Sequence, residues 1–227
     1  MIDSSIIYLE ISIERSVKKS ISLKLLPPRK LLVRAPYSIP DQEIRDVIQS
    51  KRQWINKNLE RLNCSQPLIE EDESGITKAF YLGNPLPIVR DLKKGFLRKG
   101  EVLHLEEQSN GAKERKLVFS WLKKEATLFL SMRFKERVSR LPKHAAKPNG
   151  LSLRLYRSRW GCCNNNKVIS LNTRLVQLPT FIIDYVIDHE LAHCTYLNHS
   201  QSFYTLLQEI NALSKRYKRE IQKYLLN

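Results

Sequence analysis

His189-Glu190-Leu191-Ala192-His193 is the stretch of this chain whose residue types and spacing point most directly to chemistry. On a helix, residues four apart sit one turn above each other, so both imidazoles of an HExxH pentapeptide can reach one ion. Glu190 follows His189 by about 100° around the helix. It stays out of the coordination sphere yet is near enough to take a proton from a metal-held water. A catalytic zinc needs a third protein ligand and an open position. His199 is the candidate, although six more helical residues would carry it about 9 Å along the axis and onto another face. The chain must therefore turn. Asn198-His199-Ser200-Gln201 has the form of an N-cap with Gln three residues on, which would let His199 open the next helix and point back. The expected site is Zn2+ on His189, His193 and His199, with Glu190 as general base.

The spacing of the three histidines equals that of the metzincins, whose motif has Gly midway and a Met-turn downstream. Here Tyr196 stands at the Gly position, and both methionines, Met1 and Met132, precede the motif, so that reading fails. Arg159 and Tyr204 are candidates to steady an oxyanion, and Trp160 to line a substrate subsite, each against a structural alternative. Cys162 or Cys163 as a fourth, closing ligand is disfavoured, because Gly161 and Asn164-Asn165-Asn166 read as turn. Cys194 follows a ligand and should point away into packing, while His104 and His144 stand outside any ligand pattern.

Elements must hold these side chains. Period-two alternation through Ile7–Ile13, Ile21–Leu25 and Leu31–Ala35 predicts three half-buried strands, with Pro27-Pro28 marking the last turn. Ser38 and Asp41 around Pro40 begin a helix running from about 39 to about 62. The acidic run Glu70–Glu73 before Ser74-Gly75 reads as a solvated loop, with short strands near 80–82, 87–89 and 102–105. From about Ala112, Val118, Leu122, Ala126, Leu130, Phe134 and Val138 recur every four residues, which predicts a long amphipathic helix. Leu151–Leu155 and Val168–Leu171 alternate about a turn-rich stretch and read as a β-hairpin, its edge available for strand addition by a peptide. Pro179 then opens the HExxH helix, and two more helical stretches follow. The expected fold class is α+β. A β-rich portion with one helix over residues 1–110 precedes a compact zincin-like catalytic domain over 111–227.

Composition narrows the class. At 227 residues, 42% hydrophobic and 27% charged, the chain can bury a core and lies far from disorder-prone composition. The four cysteines, Cys64 included, form no CxxC pair and imply no disulfide framework. The N-terminus carries Asp3 where an export signal would be basic, and no apolar run reaches the roughly 18–20 residues needed to span a bilayer. A reducing, cytoplasmic setting without membrane contact is expected. The net charge of +16 is uneven: fourteen Lys and Arg fall between Lys113 and Arg159, and none between Leu175 and Leu213. Such asymmetry can mark a nucleic-acid surface or a solvated coat. Lys123, Lys124, Arg133 and Arg137 avoid the apolar stripe of the long helix and would form part of either surface.

Three stretches resemble the YgjP-like metallopeptidases, relatives of the SprT-type zincins: Ser158-Arg159-Trp160-Gly161-Cys162, Ile169–Leu175, and Asp184–His193 running on to Asn198-His199-Ser200. After Trp-Gly the family usually has Ser then Cys, where this chain has Cys162-Cys163. The resemblance implies a gluzincin-like domain with three histidine ligands and a Glu base, hydrolysing peptide bonds. The expectation is a zinc metallopeptidase acting on peptide or protein substrates. Its rivals are an SprT-like protease tethered to nucleic acid through residues 113–159, and a metal-stabilised binding module without catalysis.

Overall fold

The computed structural model describes residues 9–17, 19–26, 30–63, 68–73, 75–224 and 226, with residues 26 and 60–63 described by backbone alone. Ile7, Pro27-Pro28, Cys64 and Ser74, which figured in the sequence reading, lie outside the described residues.

The chain divides into two compact units, residues 1–65 and 66–227. In the first, β1 (Glu10–Ser16) runs parallel to β3 (Lys30–Pro36), and β2 (Ser22–Leu26) pairs antiparallel on the other side of β3. α1 (Asp41–Ser50) and α2 (Arg52–Asn63) follow. The single helix expected over 39–62 is broken at Lys51, whose N–H caps α1 on the carbonyls of Val47 and Ile48. Leu31, Val33, Ala35, Ile44, Ile55 and Leu59 form this unit's own core.

The second unit starts earlier than the expected boundary at residue 110. Its five-stranded sheet has the order β4-β5-β6-β8-β7, from β4 (Ile69–Asp72), β5 (Gly75–Tyr81), β6 (Asn84–Leu92), β7 (Phe96–Lys99) and β8 (Val102–Glu106). These strands belong with α3 (Gly111–Ser139), because Ile76, Ala79, Leu86 and Leu103 share one core with Val118, Leu122, Ala126, Leu130 and Phe134 of the helix. A buried carboxylate fastens the two: Glu114 accepts from the Ile76 N–H at 3.1 Å, from Arg90 at 2.7 and 2.9 Å, and from Ser109 at 2.7 Å. The acidic run is a strand, not a loop. Glu70 pairs with Lys78 across β4 and β5 at 2.7 Å, and Glu71 pairs with Arg115 of α3, so cations opposite stabilise what sequence alone marks as solvated.

A second, three-stranded sheet has the order β10-β11-β9, from β9 (Gly150–Arg154), β10 (Gly161–Cys163) and β11 (Val168–Asn172). The hairpin expected over 151–172 is therefore redrawn. β9 runs parallel to β11, and the true hairpin is β10–β11. Alternation reports strand faces but not partners, and short β10 carries too few residues to announce itself. A 3-10 turn (Thr173–Gln177) leads into α4 (Thr180–His193), α5 (Gln201–Ile210) and α6 (Ser214–Glu220). The fold is α+β. Among the described residues, no helix is long and apolar enough to cross a membrane.

Candidate active site

α4 is buried nearly all round, as its run Ile182, Ile183, Tyr185, Val186, Ile187 and Leu191 requires. Its C-terminal turn carries His189, Glu190 and His193. The helix stops at Cys194, and the chain turns back before Ser200 caps α5, its Oγ accepting from the Phe203 N–H at 3.3 Å. The cap is thus Ser200, not the expected Asn198. His199 lies just outside the helix, which leaves its ring free to swing toward α4. The three imidazoles converge there: Nε2 of His199 stands 3.1 Å from Nε2 of His189 and 3.2 Å from Nε2 of His193. A donor atom from each lies within 4.8 Å of the others, so the group could hold a metal ion.

The surroundings set how these rings are used. His193 Nδ1 lies 3.0 Å from the Tyr196 carbonyl, which fixes that nitrogen as the proton-bearing one and leaves Nε2 its lone pair. His189 Nδ1 is buried with no hydrogen-bond partner among the described residues. Burial, followed by the neighbouring His193, His199 and Lys218, pushes His189 down to about 3. Burial likewise lowers His193, against the pull of its carbonyl partner. Neutral imidazoles with converging lone pairs are the form a cation needs. Phe203, fully buried, forms the floor, its ring 4.5 to 5.1 Å from all three imidazoles.

Glu190 is 6% exposed, and burial raises its pKa to about 7, opposed by Arg159. Gly161 of β10 lies directly against it: a Cβ at 161 would stand 2.8 Å from both Cγ and Oε1 of Glu190. The Trp160-Gly161 pair is therefore the place where an edge strand meets the carboxylate. Asn172, fully buried, holds the preceding loop by donating to the carbonyls of Tyr156 and Arg159, both at 2.9 Å.

The other candidates separate. Arg159 is exposed, its guanidinium 5.6 Å from the Tyr156 ring, and its charge reaches Glu190. Trp160 is half-buried and packs on the core. Tyr204 stacks on His199 with centroids 6.1 Å apart, and its hydroxyl accepts from Lys218 at 3.0 Å. Cys162 and Cys163 fall outside the histidine cluster, and Cys163 Sγ lies 3.7 Å from buried Cys194 Sγ.

Two residues of the basic cluster are not surface charges. Arg133 holds Asp184 through Nε at 2.7 Å and Nη2 at 2.6 Å, and Arg137 holds the fully buried Asp188 through the same pair of nitrogens, both at 2.7 Å. Asn211 adds a third donor to Asp188 at 2.8 Å. These forked pairs, one helical turn apart on both helices, fix α4 against α3. Lys113, Arg115 and Arg140 also pair with carboxylates, so five of the fourteen cations of the cluster are engaged within the unit. The clamp was not read from the sequence. Its signal was the matched four-residue spacing of Arg133 with Arg137 and of Asp184 with Asp188.

An α+β domain that gathers three imidazoles beside a buried carboxylate has the arrangement of a metal-dependent hydrolase. The chain belongs to the YgjP-like metallopeptidase family, whose domain matches residues 19–224. It is a metallopeptidase. Among solved structures, the crystal structure of the metallopeptidase zymogen of Pyrococcus abyssi abylysin is similar over 43% of this chain and 99% of that chain, with 17% identity and a TM-score of 0.35. No curated protein gives a significant match.

Proposed function

We propose that the chain is a zinc-dependent peptidase with His189, His193 and His199 as ligands and Glu190 as general base. The observation that carries this reading is the convergence of the three Nε2 atoms. Tetrahedral ligands about 2.0–2.1 Å from zinc lie roughly 3.3–3.4 Å from one another. The separations of 3.1 and 3.2 Å are close to that, and a cation would satisfy lone pairs turned together in this way. Bound there, zinc supplies a Lewis acid for the scissile carbonyl and lowers the pKa of a bound water.

The chain's own residues do the rest. Glu190 takes the proton from the attacking water and passes it to the leaving amine, a task suited to a carboxyl whose proton affinity burial has raised. β10 pairs with β11 along one edge only, so a polypeptide adding to its other edge would run past Gly161 and Glu190. Arg159, whose charge reaches Glu190, and Tyr204, which stacks on His199, are the candidates to steady the oxyanion.

Glu190→Gln separates this from a binding module. It keeps shape and metal but removes the proton acceptor, so hydrolysis of an unfolded protein substrate should nearly vanish. A variant that cuts as fast as the wild type would refute the assignment.

A further inference from the structure

A pocket of about 310 Å³ opens between α4, α5 and α6. Two of its lining residues stand against the histidine cluster: the rings of Tyr185 and His189 are 6.0 Å apart, and Tyr204 stacks on His199 at 6.1 Å. Lys218 lines the same pocket. Its ammonium donates to the Tyr204 hydroxyl at 3.0 Å and lies 4.7 Å from that ring's centroid, which holds in place a side chain that would otherwise range through solvent. Its charge reaches His189. Lys215 adds a second cation, and no described lining residue is acidic. Tyr185 carries an independent signal. It is only 5% exposed, yet its hydroxyl makes no hydrogen bond among the described residues.

We infer that this pocket is a carboxylate subsite beside the catalytic centre, with Lys218 as its cation and Tyr185 and Tyr204 as hydroxyl donors. Its occupant is an acidic side chain, or the terminal carboxylate, of the polypeptide being cut. The inference rests on the peptidase reading above and adds which substrates that site prefers. Each donor is accounted for. A buried hydroxyl without a partner is costly, and an acceptor in the pocket relieves Tyr185. Tyr204 accepts from Lys218, so its own proton is unspent, and the ammonium keeps two more hydrogens. A carboxylate only accepts, and so satisfies all three groups at once. An amide of the same shape brings N–H donors of its own into a ring of donors, which is how such a site rejects the neutral isostere. The shared walls at His189 and His199 put the subsite within one or two residues of the bond to be cut.

Two sets of peptides built on one neutral sequence test it, with cuts by the full-length chain mapped by mass spectrometry. In the first set both ends are capped, and a single Glu stands at successive positions beside a Gln counterpart. In the second there is no acidic residue, and the C-terminus is free or amidated. If side chains occupy the pocket, Glu should be favoured over Gln at least about tenfold in kcat/KM when it lies one or two residues from the cut. If the terminal carboxylate does, the free acid should win by that margin, with cuts at the last bonds. Neither margin appearing would overturn the proposal. Lys218→Met should bring the favoured ratio near one, and Tyr185→Phe, which removes only the hydroxyl, should lower it about fivefold. Lys135→Met, exposed on α3 and outside the pocket, should leave it. A ratio that survives Lys218→Met would overturn the subsite, since it would place the carboxylate elsewhere. Fluorescence anisotropy of the same labelled peptides on the Glu190→Gln chain repeats the comparison without cleavage. If the wild type cuts no peptide while the acidic one still binds about tenfold tighter in a Lys218-dependent way, the peptidase reading fails and the pocket stands. Equal binding of acidic and neutral peptides there would overturn the pocket itself.

Discussion

Gly161 touches Glu190 so closely that no side chain fits between them. The β10 backbone thus sets where the carboxylate can lie.

Gly161→Ala should therefore act on catalysis before stability. The added methyl overlaps Cγ and Oε1 of Glu190, and these are the mobile end of the side chain, so the carboxylate shifts while the fold persists. A displacement of about 1 Å can cost on the order of 100-fold in rate. kcat should fall by that order with metal content and Tm little changed; an unchanged kcat would show that Glu190 tolerates the shift.

His199→Ala should cost metal more than structure. His199 is exposed and lies outside α5, so its loss leaves little to repack, while the cluster is left with two donors. Elemental analysis after dialysis should show occupancy far below one ion per chain. Full retention would remove His199 from the site.

Arg137→Met should be among the most destabilising single changes in α3. It leaves the fully buried Asp188 carboxylate with Asn211 alone, and breaking such a pair costs about 3–5 kcal/mol. Arg133→Met, whose partner Asp184 is less buried, should cost less. Urea melts of both variants would test the order, and equal midpoints would contradict the clamp.

Glu114 makes part of the stability depend on pH. Burial alone would raise its pKa, but hydrogen bonds from Arg90, Ser109 and the Ile76 N–H outweigh that and hold it below the ordinary 4.5. A carboxyl lowered in the folded state stabilises above its unfolded pKa, and that contribution is lost as pH falls through the folded value. Glu114→Gln should lower Tm at pH 7 and flatten the loss of Tm below about pH 4.5. Parallel acid profiles for the two proteins would show that the carboxylate contributes nothing.

The gathering of the three histidines was legible because its information is local. HExxH needs only helical periodicity to bring His189 and His193 together, and the six-residue step to His199 forces a turn whatever caps it. The α3 stripe was legible for the same reason. What escaped depends on distant partners. Nothing near Asp188 in sequence announces Arg137, 51 residues away, and so two cations looked like free surface. The direction of β9 relative to β11 is set by the crossover through β10, and alternation is blind to it. The acidic strand β4 was hidden because Lys78 and Arg115, which neutralise it, lie on other elements.

The clamp between α3 and α4 also bears on how the protein responds to metal supply. The helix that carries His189 and His193 is held by charges on its far side and by the core, so those two imidazoles would be in position before any ion arrives. Little binding energy is then spent on folding, unlike in domains that collapse only around their metal. A chelator should empty this site without melting the chain, and reloading should need no refolding. Activity would follow the free metal concentration around the protein, with the emptied form a reversible reserve.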